Sequence, residues 1–243
     1  MISIGTRSSR SVAGYSLTRL MVGSEGTLGV ITKAVLRLIP LPEKIVTLSA
    51  LFSNLYSATT TVGNILRSSI RPMVIEFMDR ESIRVVKDFL PVSVREKGEA
   101  MLIVEIDGTA GVVEKELQKV EEICKRSGAI DVELATTSED RERLWTARRS
   151  VSPCLYKINP TKINEDVVVP RSRLSDLIGE IEKIAANFRL QIVSFGHAGD
   201  GNLHINIMTD DKNAEEYARA QKAVEALFEA TLRLGGSISG EHG

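Results

Sequence analysis

Cysteine is nearly missing from this 243-residue chain: Cys124 and Cys154 are the only two. Two thiols exclude a disulfide framework and fit a reducing compartment. An excess of either charge is missing as well, since 31 lysines and arginines face 32 aspartates and glutamates. That balance leaves no basic field to hold nucleic acid or an anionic membrane. No apolar run approaches the roughly 20 residues of a transmembrane helix, and no secretory leader is readable at the start. The expected location is cytoplasmic, with peripheral attachment to a membrane left open. Internal repeats and low-complexity tracts are also absent. What the chain does have is apolar content, 43% of its residues, enough to bury a substantial core. Cys124 continues the helical series Val113, Leu117, Val120 and is expected in that core rather than at a reactive site.

Strand and helix signals alternate along the chain. Residues 28–38, rich in β-branched and apolar side chains, predict a strand closed by Pro40 and Pro42; the proline-bearing stretch 39–46 reads as a linker. Further strands are expected at 73–78, 101–106, 131–136, 166–169, 190–196 and 203–209. Helices are expected at 54–69, 80–88, 111–127, 138–149 and 213–234. The clearest helix follows Pro170, where Leu174, Leu177, Ile178, Ile181, Ile184, Ala185 and Phe188 fall at i, i+3, i+4, i+7 spacing. Strand pairs lying between helices predict an α+β fold of ferredoxin-like halves, a mainly antiparallel sheet covered by helices.

The three histidines all fall in two glycine-rich clusters, Phe195-Gly-His-Ala-Gly-Asp-Gly-Asn-Leu-His204 and Ser239-Gly-Glu-His-Gly243. In the first, Asp200-Gly201 predicts a two-residue type I′ hairpin turn, which would set His197 directly opposite His204. Opposed residues hold their Cβ atoms about 4.5–5.5 Å apart on one face, so two imidazoles could converge on one metal ion. Asn206 would share that face. The plainer alternative is a hairpin whose histidines only cap a sheet edge. The second cluster follows the small-residue loop Gly235-Gly-Ser-Ile-Ser-Gly240 and could add a carboxylate. Two histidines and a carboxylate suit zinc, manganese or iron(II), without choosing among them. At the front, Gly23-Ser-Glu-Gly-Thr-Leu-Gly29 has neither the lysine of a phosphate-binding loop nor the spacing of a dinucleotide fingerprint. By spacing alone it is a turn before a strand.

The stretch from Gly14-Tyr-Ser-Leu-Thr-Arg through Gly29-Val-Ile-Thr32 resembles the end of the flavin-binding domain in FAD-linked oxidases of the vanillyl-alcohol-oxidase type. Both histidine clusters, Leu144-Trp-Thr-Ala-Arg-Arg149 and Glu165-Asp-Val-Val-Val-Pro-Arg-Ser-Arg173 are similar to the branch holding glycolate oxidase D subunits, D-lactate dehydrogenases and D-2-hydroxyglutarate dehydrogenases. The resemblance implies that residues 1–42 are a remnant of the FAD-binding domain. It makes residues 43–243 the substrate and metal domain, truncated at its end, in a parent of roughly twice this length.

It further implies His197, His204 and Glu241 as metal ligands, His242 as general base beside the flavin, and Arg148 as clamp for the substrate carboxylate. Arg149 is the alternative clamp, and a surface salt bridge to Glu139-Asp140 is the alternative role for Arg148. Asn206 takes a substrate-side place. FAD would be met by Gly23, Ser24, Glu25, Gly26, Thr27, Gly29 and Ile31. The activity implied is metal-assisted oxidation of a small D-2-hydroxy acid by hydride transfer to FAD, with an iron–sulfur electron-transfer subunit as a partner. Tyr156-Lys-Ile-Asn-Pro-Thr-Lys-Ile-Asn164 does not clearly place the basic residue of hydroxyglutarate enzymes, which favours D-lactate or glycolate. Two rival expectations are a non-redox flavoenzyme of the same fold and a metal-binding fragment inactive without its FAD domain.

Overall fold

Alternation of side chains along each strand organises the structure, because one set of alternate residues is apolar and the other mixes apolar with charged groups. The computed structural model describes residues 1–8, 10–90 and 97–242, so Gly243 of the second cluster lies outside the described residues. It separates into two units, Met1–Leu41 and Pro42–His242.

Among the described residues the larger unit holds seven strands: β1 (Lys44–Phe52), β2 (Val74–Asp79), β3 (Ala100–Gly108), β4 (Ala129–Ala135), β5 (Thr161–Val168), β6 (Gln191–Gly196) and β7 (Asn202–Thr209). They form one sheet in the order β4-β1-β3-β2-β6-β7-β5, with antiparallel neighbours throughout. Among the described residues its α-helices are α2 (Leu55–Arg67), α3 (Arg80–Val85), α4 (Ala110–Arg126), α5 (Ser138–Cys154), α6 (Leu174–Phe188) and α7 (Ala214–Arg233). The run β1-α2-β2-β3-α4-β4, with β1 and β3 central, is a ferredoxin-like unit. The run β5-α6-β6-β7-α7 repeats it, and Ser237 bridges Val168 where a fourth strand would stand. The halves join at β2 and β6 through two residue pairs, Phe77↔Gly196 and Met78↔Phe195. The expected α+β architecture of ferredoxin-like halves is thus the one observed.

Helices α2, α4, α6 and α7 cover one face, over Leu48, Phe52, Phe77, Leu102, Ile106, Leu203 and Ile205. Cys124 sits in this core, where burial pushes its thiol up to about 12. The other face carries Leu51, Met78, Ile103, Val193, Phe195 and Met208 beneath α3 and α5. Along β7, Leu203, Ile205 and Ile207 enter the first core while Met208 enters the second. Strand period then assigns His204 and Asn206 to the second face. Helix α5 starts where the Thr137 hydroxyl caps it, accepting from the Asp140 N–H at 3.1 Å. It presents Leu144, Ala147 and Val151 to this face, and Arg148 travels with them.

Three expectations on secondary structure need correction. Residues 28–38 form no strand: Leu28, Val30, Ile31, Val35, Leu36 and Leu38 are 56–88% exposed, and among the described residues no neighbouring strand supplies a ladder. A single extended segment has no hydrogen-bonded partner to offset its ordering cost. Strand β1 occupies part of the stretch read as linker and pairs on both sides, with β3 and β4. Strand β5 starts at Thr161 rather than 166, because its early residues Lys162 and Asn164 still pair with Met208 and Asn206. The smaller unit holds the short helix α1 (Leu17–Met21), capped by the Ser16 hydroxyl. None of the helices among the described residues is long and apolar enough to cross a membrane.

Candidate metal and substrate site

The β6–β7 connection is not the two-residue turn that Asp200-Gly201 predicts. Of that pair only Gly201 has positive φ, at 80°. A type I′ turn needs it at both central residues. The His197 carbonyl instead accepts from the N–H groups of Asp200 (2.9 Å) and Asn202 (3.2 Å), and the loop spans four residues, 198–201. The ladder pairs His204 with Phe195, so His197 stands across from Asn202 and is a diagonal neighbour of His204. A shift of two residues is one full pleat period, so both imidazoles remain on one face. Their ring centroids lie 5.4 Å apart, edge-on at 82°.

Glu241 reaches the same point, its Oε1 lying 3.5 Å from Nε2 of both His197 and His204. The ligand atoms of His197, His204 and Glu241 all fall within 4.8 Å of one another. His242 stacks on His204 at 5.5 Å between centroids. Neighbours on a regular strand would point to opposite faces, yet Glu241 and His242 both face the site. The cause is Asp166, on β5 opposite His204. Its Oδ2 accepts three successive backbone N–H groups, from Gly240 (3.0 Å), Glu241 (2.6 Å) and His242 (3.0 Å). Successive amides converging on one anion make a nest, which curls the chain and turns adjacent side chains the same way. The Asn202 amide donates to the other oxygen, Oδ1, at 2.8 Å. A Cβ at Gly240 would lie 1.8 Å from the Asn202 amide nitrogen, so glycine is required there. Burial works to raise the Asp166 carboxyl, but the bonds from Glu241, Asn202, His242 and Gly240 outweigh it and hold it below the usual range.

Glu76, on β2 and 3% exposed, meets the cluster from the other side. Its Oε1 lies 2.5 Å from His197 Nδ1, and its Oε2 accepts from Arg148 Nε at 2.7 Å, with Nη2 in ion-pair contact at 2.6 Å. Arg148 also lies over the Phe195 ring, 4.7 Å from its centroid. The alternative salt bridge to Glu139-Asp140 is therefore not formed; Arg143 takes Asp140. Arg149, one position on, is 57% exposed and pairs with Glu142, away from the histidines. Burial alone would raise the Glu76 carboxyl, but the His197 hydrogen bond and the Arg148 charge bring it below the usual range. His197 is raised chiefly by Glu76, while burial and then the Arg148 and His197 charges lower His204.

Asn206 is fully buried; its amide donates to the Val193 and His204 carbonyls, and its Oδ1 has no partner among the described residues. Lys162 lies on this face too, opposite Met208, with Nζ donating to Ser152 Oγ at 2.8 Å. The segment 156–164 thus carries a basic group on the site face, with its ammonium held at Ser152. The proposed flavin contacts lie in the smaller unit, where Gly23, Ser24, Glu25, Gly26, Thr27, Gly29 and Ile31 form a chain of turns. Glu25 adopts φ 51° there, and the Thr27 N–H donates to the Ser24 carbonyl at 2.9 Å. Sequence reasoning missed Glu76 and Asp166. The signal available for each was a carboxylate set within an apolar strand.

A histidine pair, a shared carboxylate and a largely buried arginine thus meet on an antiparallel sheet of two ferredoxin-like halves. Residues 41–243 match the family described as FAD linked oxidases, C-terminal domain, and the chain belongs to that family. It is 42% identical over its whole length to glycolate oxidase subunit GlcD of Bacillus subtilis (strain 168), covering 52% of that protein. It is 32% identical, again over its whole length, to D-lactate dehydrogenase of Anaerostipes hadrus, covering 53% of it. The chain therefore spans about half the length of these relatives. A solved alkyldihydroxyacetonephosphate synthase matches 95% of this chain and 47% of its own, with a TM-score of 0.68 at 19% identity, a likeness of fold.

Proposed function

We propose that this chain is the substrate-binding half of an FAD-dependent 2-hydroxy-acid dehydrogenase, acting on D-lactate or glycolate. Residues 1–42 are then the end of its FAD-binding domain and residues 43–243 the substrate and metal domain. The observation that carries the reading is the convergence of His197, His204 and Glu241 on one point beside Arg148. The names of the relatives support the choice of substrate.

The donor set fits a divalent ion in chemistry and in charge. Glu76, Asp166 and Glu241 set three carboxylates against one guanidinium, and a dication would cancel the two charges in excess. When bound, an ion held by His197, His204 and Glu241 (zinc, manganese or iron) would supply Lewis acidity and FAD the hydride acceptor. Arg148 spends Nε and Nη2 on Glu76, so its Nη1 edge is what remains for a substrate carboxylate. The buried Oδ1 of Asn206, unpartnered among the described residues, accepts a hydrogen bond from the substrate side. His242 takes the hydroxyl proton; imidazole is matched to that task near neutral pH. An iron–sulfur subunit is the proposed electron-transfer partner, and a cytoplasmic location completes the reading.

The test is a substrate screen of the full-length protein with an artificial electron acceptor. D-lactate or glycolate should reduce the bound flavin; a flavin-loaded protein that oxidises neither would refute the assignment.

A further inference from the structure

The geometry points to Glu76 as a positioning residue that fixes the tautomer of His197, so that its Nε2 lone pair faces the metal point. This inference rests on the metal reading above and concerns a residue outside the ligand set.

Glu76 is buried and both of its oxygens are engaged. Arg148 can only donate, and it holds Oε2 through a hydrogen bond from Nε and an ion-pair contact from Nη2. The carboxylate is ionised beside that guanidinium, so it has no proton to give to His197 either. The 2.5 Å contact between Oε1 and Nδ1 must then be made by a proton on Nδ1. In the neutral ring this leaves Nε2 bare, and Nε2 is the nitrogen 3.5 Å from Glu241 Oε1. A carboxylate fixing a metal-binding imidazole in this way raises its basicity, and loss of such a partner costs about 10–100-fold in metal affinity. Because Arg148 shares the same carboxylate, Glu76 ties the ligand and the substrate clamp to one strand.

The sharp variant is Glu76→Gln, which keeps volume and shape. The introduced amide offers one carbonyl oxygen, and the Arg148 guanidinium, which is charged and can only donate, will claim it. The amide nitrogen then faces His197 Nδ1, which must become an acceptor, and the ring proton moves to Nε2. Nitrogen-15 NMR of the histidine rings in metal-free protein at alkaline pH reads this directly. Wild type should show a protonated Nδ1 at His197 and Glu76→Gln a protonated Nε2. Zinc titration against a chromogenic chelator should show an affinity about 10–100-fold weaker in Glu76→Gln. His197→Ala in the same titration tests the metal reading by itself.

A wild-type His197 protonated on Nε2 would overturn the inference without any variant, even if Glu76→Gln did not fold. Unchanged zinc affinity in Glu76→Gln, with affinity lost in His197→Ala, would overturn it while leaving the metal site standing. Equal affinity in wild type and His197→Ala would overturn the metal reading itself.

Discussion

Substituting Asp79 by asparagine should remove a pH dependence of stability worth about 3 kcal/mol. Asp79 ends β2 at the seam between the two halves of the sheet, only 8% exposed. Backbone pairing there stops after Met78, and the Asp79 side chain takes over as acceptor. Its Oδ2 receives the Ser194 N–H at 2.5 Å, and its Oδ1 caps α3 by receiving the Ser82 N–H at 2.8 Å. Burial pushes its carboxyl up to about 6 from 3.8, against the pull of those two bonds. Between these values the folded protein keeps a proton that the unfolded chain has released, so stability falls as pH rises. Each pH unit separating the folded and unfolded values is worth about 1.4 kcal/mol, so a gap of about two gives about 3 kcal/mol. That stability is fully present below pH 3.8 and lost as pH passes 6. Urea unfolding of wild type and Asp79→Asn at half-unit steps from about pH 4 to 7 isolates the effect. Carboxylates with lowered values, Glu76 and Asp166 among them, contribute the opposite slope to both proteins and cancel in the difference. The asparagine amide cannot accept at both positions, which costs about 1–3 kcal/mol at every pH and shifts the difference curve without tilting it. A flat difference, or one in which wild type gains on the variant as pH rises, would refute the reasoning.

The purified chain should carry a divalent transition metal by elemental analysis, and His197→Ala and His204→Ala should each lose most of it; equal content in all three removes the site. In the full-length protein, Glu241→Ala should lose metal and recover some activity with added salt, since two histidines remain to hold the ion. His242→Ala should keep metal and flavin yet lower kcat and kcat/KM together by about 10²–10⁴-fold. Stopped-flow flavin bleaching separates them, and normal bleaching in His242→Ala would take that histidine out of the mechanism.

What the sequence revealed of the fold follows from where the physics is local. Helices α6 and α7 lay open because amphipathic periodicity and capping act within a few residues of each other, as where Asn213 Oδ1 receives the Glu216 N–H of α7. Strand β1 was hidden for the opposite reason. Its central place comes from β3 and β4, and Lys44-Ile-Val-Thr beside a proline stretch carries no trace of such distant partners. Residues 28–38 failed in the mirror sense, since strand propensity is only fitness for a ladder and the described residues offer them none.

The candidate site was legible to the same depth, and one of its readings survived a wrong premise. The Asp-Gly turn gave the wrong register, yet the histidines still meet, because any slip by an even number of residues keeps a side chain on its face. Convergence of His197 and His204 therefore depended on parity, which strand alternation holds far more firmly than turn type. Glu76 and Asp166 had no such protection. Their partners lie 121 residues away at His197 and 75 away at Glu241, and neither carboxylate belongs to a glycine-rich motif. What betrays them is cost: a carboxylate in the middle of a buried strand is tolerated only when its acceptor capacity is filled. Glu105 obeys the same rule, 1% exposed and filled by Thr47, Arg141 and Trp145. Arg141, Trp145 and Arg148 project from one stripe of α5, so Glu105 and Glu76 together set that helix against the sheet. Acidic residues inside apolar strands thus mark where distant polar groups must converge, although they do not name them.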